Sequence, residues 1–185
     1  LGLASGVRRL VEDWHGVRYD RPAARLREYA AVVTSLMARL PSAGVLRWKG
    51  EFFDIDVNGY EFPHPDVSRP PVYLSGVRTG MVAMAAEVAD GFIGHPAYTP
   101  GWIERVVRPA ILAGSKARPP GRAPLRLIAR ATVVVGGDAV AVRESAALHV
   151  AGLARARAYE DLFAQAGFGS LAEAMRRAVD QEHAA

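Results

Sequence analysis

The stretch VYLSGVRTGMVAMAAEVADGFIGHP, Val72 to Pro96, holds the residue types best suited to chemistry in this chain. A short apolar run breaks at Ser75-Gly76, passes Val77, and resumes as a helix of small residues. The amides of Thr79, Gly80 and Met81 open that helix, where no intrahelical acceptor reaches them. With the helix dipole they form a site for an anion such as a phosphate. Gly76 and Gly80 permit unusual φ and close backbone approach. Arg78 adds a cationic fork that suits phosphate. The same residues also have a plain reading, in which Gly76 makes the turn, Thr79 caps the helix and Arg78 faces water. There is no GxGxxG and no Walker A pattern, so this is not a standard nucleotide loop.

His95 lies just beyond a predicted strand end, in Gly94-His95-Pro96. A histidine there could bond a redox ring or relay a proton, and it could equally satisfy loop backbone. His149 falls on an apolar helical stripe and reads as a satisfied core or boundary residue. His15 sits beside Glu12 and Asp13, but adjacent residues splay apart on a helix, which disfavours a metal site. His64, His183 and the Met81/Met84 pair carry no chemical argument, and no Ser-His-Asp set can be assembled.

These residues need elements to position them. LGLASG reads as a strand end and a turn. A helix follows with Leu26, Tyr29, Val33, Leu36, Met37 and Leu40 on one face, Asp20 as N-cap and Pro22 in the first turn. From Gly44 to Tyr60 the period changes, and Lys49-Gly50 with Asn58-Gly59 signals a small hairpin. A proline-rich connector, FPHPDVSRPP, leads to a strand at Val72–Ser75 and a helix burying Met81, Met84, Ala85 and Val88. Next come a strand at Gly91–Gly94, a helix from about Trp102 to Leu112, and a long strand, Leu125–Val135. Asp138 caps a helix carrying Val142, Ala146, His149 and Leu153 on one stripe. The tail is helical, with Ser170 and Glu173 spaced as a capping box. Alternating strands and helices predict a parallel α/β fold, either doubly wound or a barrel. In both, Ser5-Gly6, Gly76–Gly80 and Gly94–Pro96 share the carboxyl-end face.

The 185 residues are 50% hydrophobic and 23% charged, ordinary globular proportions that favour a single domain. Zero cysteines exclude disulfides, thiolate metal sites and cysteine nucleophiles. No run is long enough to cross a bilayer, so a cytoplasmic protein without membrane association is expected. The +4 charge comes from 23 Lys+Arg against 19 Asp+Glu. Its arginines are scattered along helices, which argues against nucleic acid.

Four segments, in order, resemble the luciferase-like monooxygenase family: LGLASGVRRLVEDWHGVRYDRPAARLREY, WKGEFFDID, RPPVYLSGVRTGMVAMAAEVADGFIGH and LRLIARATVVVGGDAVAVRESAA. The nearest likeness is to its deazaflavin-dependent oxidoreductases, similar to methylenetetrahydromethanopterin reductase. The resemblance implies a TIM barrel that binds coenzyme F420 and moves hydride to or from a small organic substrate, or alternatively an FMN-dependent monooxygenase that uses oxygen. Leu1–Ala4, Val72–Ser75, Gly91–Gly94 and Leu125–Val135 would be its fourth to seventh strands. Ser5, Gly6 and Val7 would lie near the ring or ribityl chain. Gly76, Val77, Arg78, Thr79, Gly80 and Met81 would form the phosphate turn, and His95 would line the substrate pocket. Deazaflavin members usually place Gly-Pro in this turn, where this chain has Arg78-Thr79. A full barrel takes about 250 residues, so the expectation is an incomplete barrel from a longer or truncated gene. A homo-oligomer is expected, and the rival reading is a non-catalytic fragment that acts by association.

Overall fold

A computed structural model describes residues 1–39, 44–60 and 68–182. Leu40, His64 with most of the proline-rich connector, and His183 lie outside the described residues. In chain order the elements are β1 (Gly2–Leu3), α1 (Pro22–Arg39), β2 (Gly44–Lys49), β3 (Asp54–Tyr60), β4 (Tyr73–Ser75), α2 (Thr79–Val88) and β5 (Gly91–Ile93). They continue with α3 (Pro100–Trp102), α4 (Arg108–Lys116), β6 (Arg126–Ile128), α5 (Ala139–Ala154), α6 (Glu160–Gln165) and α7 (Gly169–Glu182). A π-helical turn, Ile103–Val107, joins α3 to α4.

The sheet order is β1-β4-β5-β6, all parallel. Leu3, Leu74, Phe92 and Leu127 stand side by side in one register row. Each strand of this sheet lies next to the one that precedes it in the chain. A doubly wound sheet reverses order part-way, whereas a barrel wall does not. The fold is therefore α/β, an arc of a TIM-type barrel, with β2 and β3 forming a separate antiparallel hairpin.

Leu74 and Phe92, from the sheet, pack with Leu26 of α1, Val82 and Ala85 of α2 and Val107 next to α4. Burying each of these Leu, Val and Phe side chains is worth about 2 kcal/mol. α2 rotates relative to its expected face: Val82, Met84, Ala85 and Ala86 are buried, while Met81 and Val88 are only partly so. The cause is a second neighbour. At Gly114 of α4 a Cβ would stand 2.0 Å from the Ala83 carbonyl oxygen, so α4 presses on α2 as closely as backbone allows. A smaller cluster joins Ala154, Phe163 and Ala172.

Several expected details change. Asp20 does not cap α1: the Arg21 carbonyl accepts from Arg25 N, and Asp20 instead takes the Arg25 guanidinium at 3.2 Å. Tyr29 turns from the core to lie 5.7 Å from Phe53. The Asn58-Gly59 pair is not the hairpin turn. It lies inside β3, where Gly59 (φ 67°) makes a bulge opposite Val45, and the chain reverses between β2 and β3. The long strand Leu125–Val135 shrinks to Arg126–Ile128, because β5 offers only a three-residue edge. α7 starts on the Phe168 carbonyl rather than on a Ser170 cap, and Glu173 pairs with Arg177 instead. Asp138 does cap α5, accepting from Val140 N at 2.9 Å. His149 is exposed and bonds Thr132 Oγ1 at 3.2 Å.

Two carboxylates pin the arc. Glu28 of α1 accepts from Trp48 Nε1 and from the amides of Glu51, Phe52 and Phe53, at 3.0–3.1 Å. Desolvation alone would raise its pKa, but these four donors outweigh it and hold the group ionised. Asp90, between α2 and β5, takes Arg69 at 2.9 Å, Val72 N at 2.8 Å and Arg122 at 3.3 Å. That ties the entries of β4, β5 and β6 together. Burial pushes the Asp90 carboxyl up, yet Arg69, the Val72 amide and Arg122 bring it down to about 2. Its folded pKa lies below the ordinary 3.8, so its stabilisation is complete above that pH and fades as pH falls to about 2. Asp90→Asn is expected to cost about 2 kcal/mol at pH 7 and much less near pH 2, measured by urea unfolding.

Candidate functional site

Parallel strands deliver their carboxyl ends to one rim. Two residues past the Leu3–Leu74 pair lie Ser5 and Gly76, so these turns are neighbours at about one strand spacing. Two past the Ile93–Ile128 pair lie His95 and Arg130. All the site residues expected from the sequence therefore share one edge of the arc.

Gly6 has φ 68°, and Ser5 Oγ lies 3.3 Å from the Tyr19 hydroxyl, which also donates to the Gly6 carbonyl at 3.2 Å. The Val7 carbonyl is taken by Val11 N at 3.1 Å. At the second turn, Met81 folds back over Gly76, where a Cβ would meet its Cγ at 2.2 Å. Tyr98 Oη donates to the Gly76 carbonyl. Gly76 and half-buried Val77 are thus covered by the protein's own side chains, while Arg78, Thr79 and Gly80 are exposed.

Arg78 is the N-cap residue of α2, with extended backbone and no side-chain cap bond. Val82 N takes its carbonyl at 3.0 Å. Among the described residues no group accepts from the amides of Thr79, Gly80 and Met81. A Cβ on Gly80 would meet nothing within 4 Å, and Arg78, Thr79 and Gly80 are exposed, so the outer side of this turn is open. The Arg78 guanidinium points away, to the Arg157 carbonyl at 3.4 Å and Asp161 at 3.9 Å.

His95 is half-buried, and its Nδ1 accepts from Ala97 N at 3.2 Å. The ring of Tyr159, from the short helical turn Arg157–Tyr159, lies 4.6 Å from it, and Tyr98 6.2 Å. Tyr19, Tyr98 and Tyr159 thus join the rim, none of them foreseen from the sequence. Tyr98 is three residues beyond His95 and carried a local signal. Tyr159 is brought in by α5 and α6 from far along the chain and carried none. Burial raises the pKa of both Tyr98 and Tyr159.

Burial, with Arg130 and His149 nearby, lowers His95 to about 4. It is neutral across the physiological range and can offer or accept one hydrogen bond without carrying charge. His15 is exposed, and Glu12 is engaged by Arg8 at 2.7 Å and Tyr19 N at 3.0 Å. Among the described residues no group of three His, Asp or Glu is placed to hold a metal ion. Because the unfolded pKa of His95 is the higher, folding stability is complete above pH 6.5 and declines as pH falls toward 4. An NMR titration should find the His95 ring unprotonated at pH 5, with Tyr159→Ala moving its midpoint up toward 6.5.

Residues 1–185 match the profile of the luciferase-like monooxygenases along the whole chain. An uncharacterized protein of Mycobacterium tuberculosis is 27% identical over 182 residues, 96% of this chain and 54% of its own length, and a Mycobacterium bovis protein matches equally. The chain thus spans about half the length of these curated relatives. A second M. tuberculosis protein, named a coenzyme F420-dependent oxidoreductase, is 29% identical over 103 residues, 50% of this chain and 29% of its own. A solved structure of an F420-dependent secondary alcohol dehydrogenase with an F420-acetone adduct superposes with TM-score 0.49 at 18% identity, covering 69% of this chain and 38% of the other. With its profile matched from end to end and its strands ordered as a barrel wall, the chain belongs to the luciferase-like monooxygenase family.

Proposed function

We propose that the chain forms part of the cofactor-binding rim of an oxidoreductase that moves hydride between F420 and a small organic substrate, with FMN as the alternative cofactor. The observation that carries this reading is the set of amides at Thr79, Gly80 and Met81, unpartnered among the described residues, at an exposed turn on the rim that also bears His95. Family membership supports it, as does the M. tuberculosis relative whose name specifies F420.

The residues present fit an anionic tail. Three backbone donors and a helix dipole would meet a phosphate, and Gly80, lacking a Cβ, would let it come close to the backbone. When bound, the cofactor supplies the ring carbon that gives or receives hydride. Ser5, Gly6 and Val7 lie beside this turn and would flank the ring or ribityl chain. Neutral His95 would hold a hydrogen bond toward ring or substrate, and Tyr98 and Tyr159 would limit water there. The His95 and Tyr159 rings, with centroids 4.6 Å apart, leave no room for a planar ring between them.

A second reading, association without a cofactor, is favoured by the outer edge of the arc. β6 pairs with β5 alone among the described residues, and the exposed Leu127, Val133 and Val135 lie along or beyond it. A homo-oligomer suits either reading. Fluorescence titration with F420 and with FMN separates them. Saturable binding of one names the cofactor, and a folded oligomer that binds neither favours association. Gly80→Asp, which sets a carboxylate in front of the donors, is expected to weaken cofactor binding at least about tenfold with the fold unchanged by circular dichroism. Unaltered affinity would place the anion elsewhere.

A further inference from the structure

A cleft of about 290 Å³ opens beside the rim, between the end of β1, the segment through Val17–Asp20, the first turns of α1 and the hairpin tip. Its size is near the lower end of ordinary small-molecule pockets. The walls are mostly apolar, set by Val11, Val17, Leu26, Tyr29 and Phe53. One wall is held rigidly: the Glu28 carboxylate takes the Phe53 amide at 3.0 Å, and Phe53 packs 5.7 Å from Tyr29.

The polar groups in this lining are unequal in charge. Arg18 and Arg25 contribute two guanidiniums against the single carboxylate of Asp20. Asp20 takes Arg25 Nη2 at 3.2 Å and stands 3.7 Å from Arg18 Nε. Arg25 Nη1 makes no hydrogen bond among the described residues, and its Nε is buried without a partner. Arg18 is 85% exposed, with only that long contact to Asp20 among the described residues. An unbalanced positive charge at the edge of an apolar cleft matches a ligand with one negative group and an apolar body.

We infer that this cleft binds a compact apolar monocarboxylate, its carboxylate on Arg25 and Arg18 and its body against Val17, Tyr29 and Phe53. Charge complementarity selects the anion, since a neutral ligand leaves the second arginine unanswered and a dianion exceeds the net charge. The inference does not depend on any cofactor at the α2 turn.

Phenylacetate and its uncharged counterpart phenylacetamide are suitable probes, followed by amide shifts in ¹H–¹⁵N spectra. Phenylacetate is expected to shift Ser5, Val11, Val17 and Arg25 and to bind about tenfold more tightly than the amide, as suits one charge-assisted hydrogen bond. Arg18→Ala should remove most of that preference, and Val17→Trp should abolish binding by filling the cleft. If Val17→Trp does not fold, the Arg18→Ala comparison decides. Equal binding of acid and amide, shifts confined to other residues, or no shifts at all would overturn the assignment.

Discussion

Parallel pairing in sequence order is the constraint from which the rest of this structure follows. It forces every strand-to-helix turn onto one rim, so that Ser5, Gly76, His95 and Arg130, scattered over 126 positions, become neighbours. The strands themselves are only two or three residues long, too short to fix this arrangement alone. The register is held from the opposite edge. There Asp90 gathers Arg69, Arg122 and the Val72 amide, and Arg118 bonds the carbonyls of Ala86, Ala89 and Ala123. Stability and site thus occupy opposite ends of the same strands, as barrel folds commonly arrange them.

Within the rim, two kinds of turn do different work. The Gly76 end is closed by Met81 and by the Tyr98 hydroxyl, which fixes the path of the backbone. The Gly80 end is left exposed, with donors that no group answers among the described residues. Arg78 divides them, and its contacts with Arg157 and Asp161 draw the α5–α6 connection toward the turn. The Asp161 contact is an exposed ion pair, worth little on its own, so it holds Arg78 only weakly.

Local chemistry was readable in the sequence, and long-range chemistry was not. The Ser75-Gly76 break, the α2 start and the Asp138 cap follow from residue type and neighbours, and each is found where expected. Asp20 has the residue type of an N-cap, but its side chain has a competing cation five residues on, in Arg25. Asn58-Gly59 carries a strong turn signature, but the Glu28 carboxylate stabilises a turn at Glu51–Phe53, which leaves Gly59 to form a bulge. Leu125–Val135 has the composition of a long strand, yet a strand extends only as far as its partner. The aromatic members of the rim were hidden for a related reason: Tyr19 and Tyr159 reach it through loops and helices whose packing no local pattern encodes.

The central claim is that backbone donors at the start of α2 hold an anion. It is tested most directly by titrating the isotopically labelled protein with inorganic phosphate and following each amide. The amides of Thr79, Gly80 and Met81 should shift together and saturate, with those of α5 unmoved. If those three stay still while other residues respond, the open turn is only the way this helix begins.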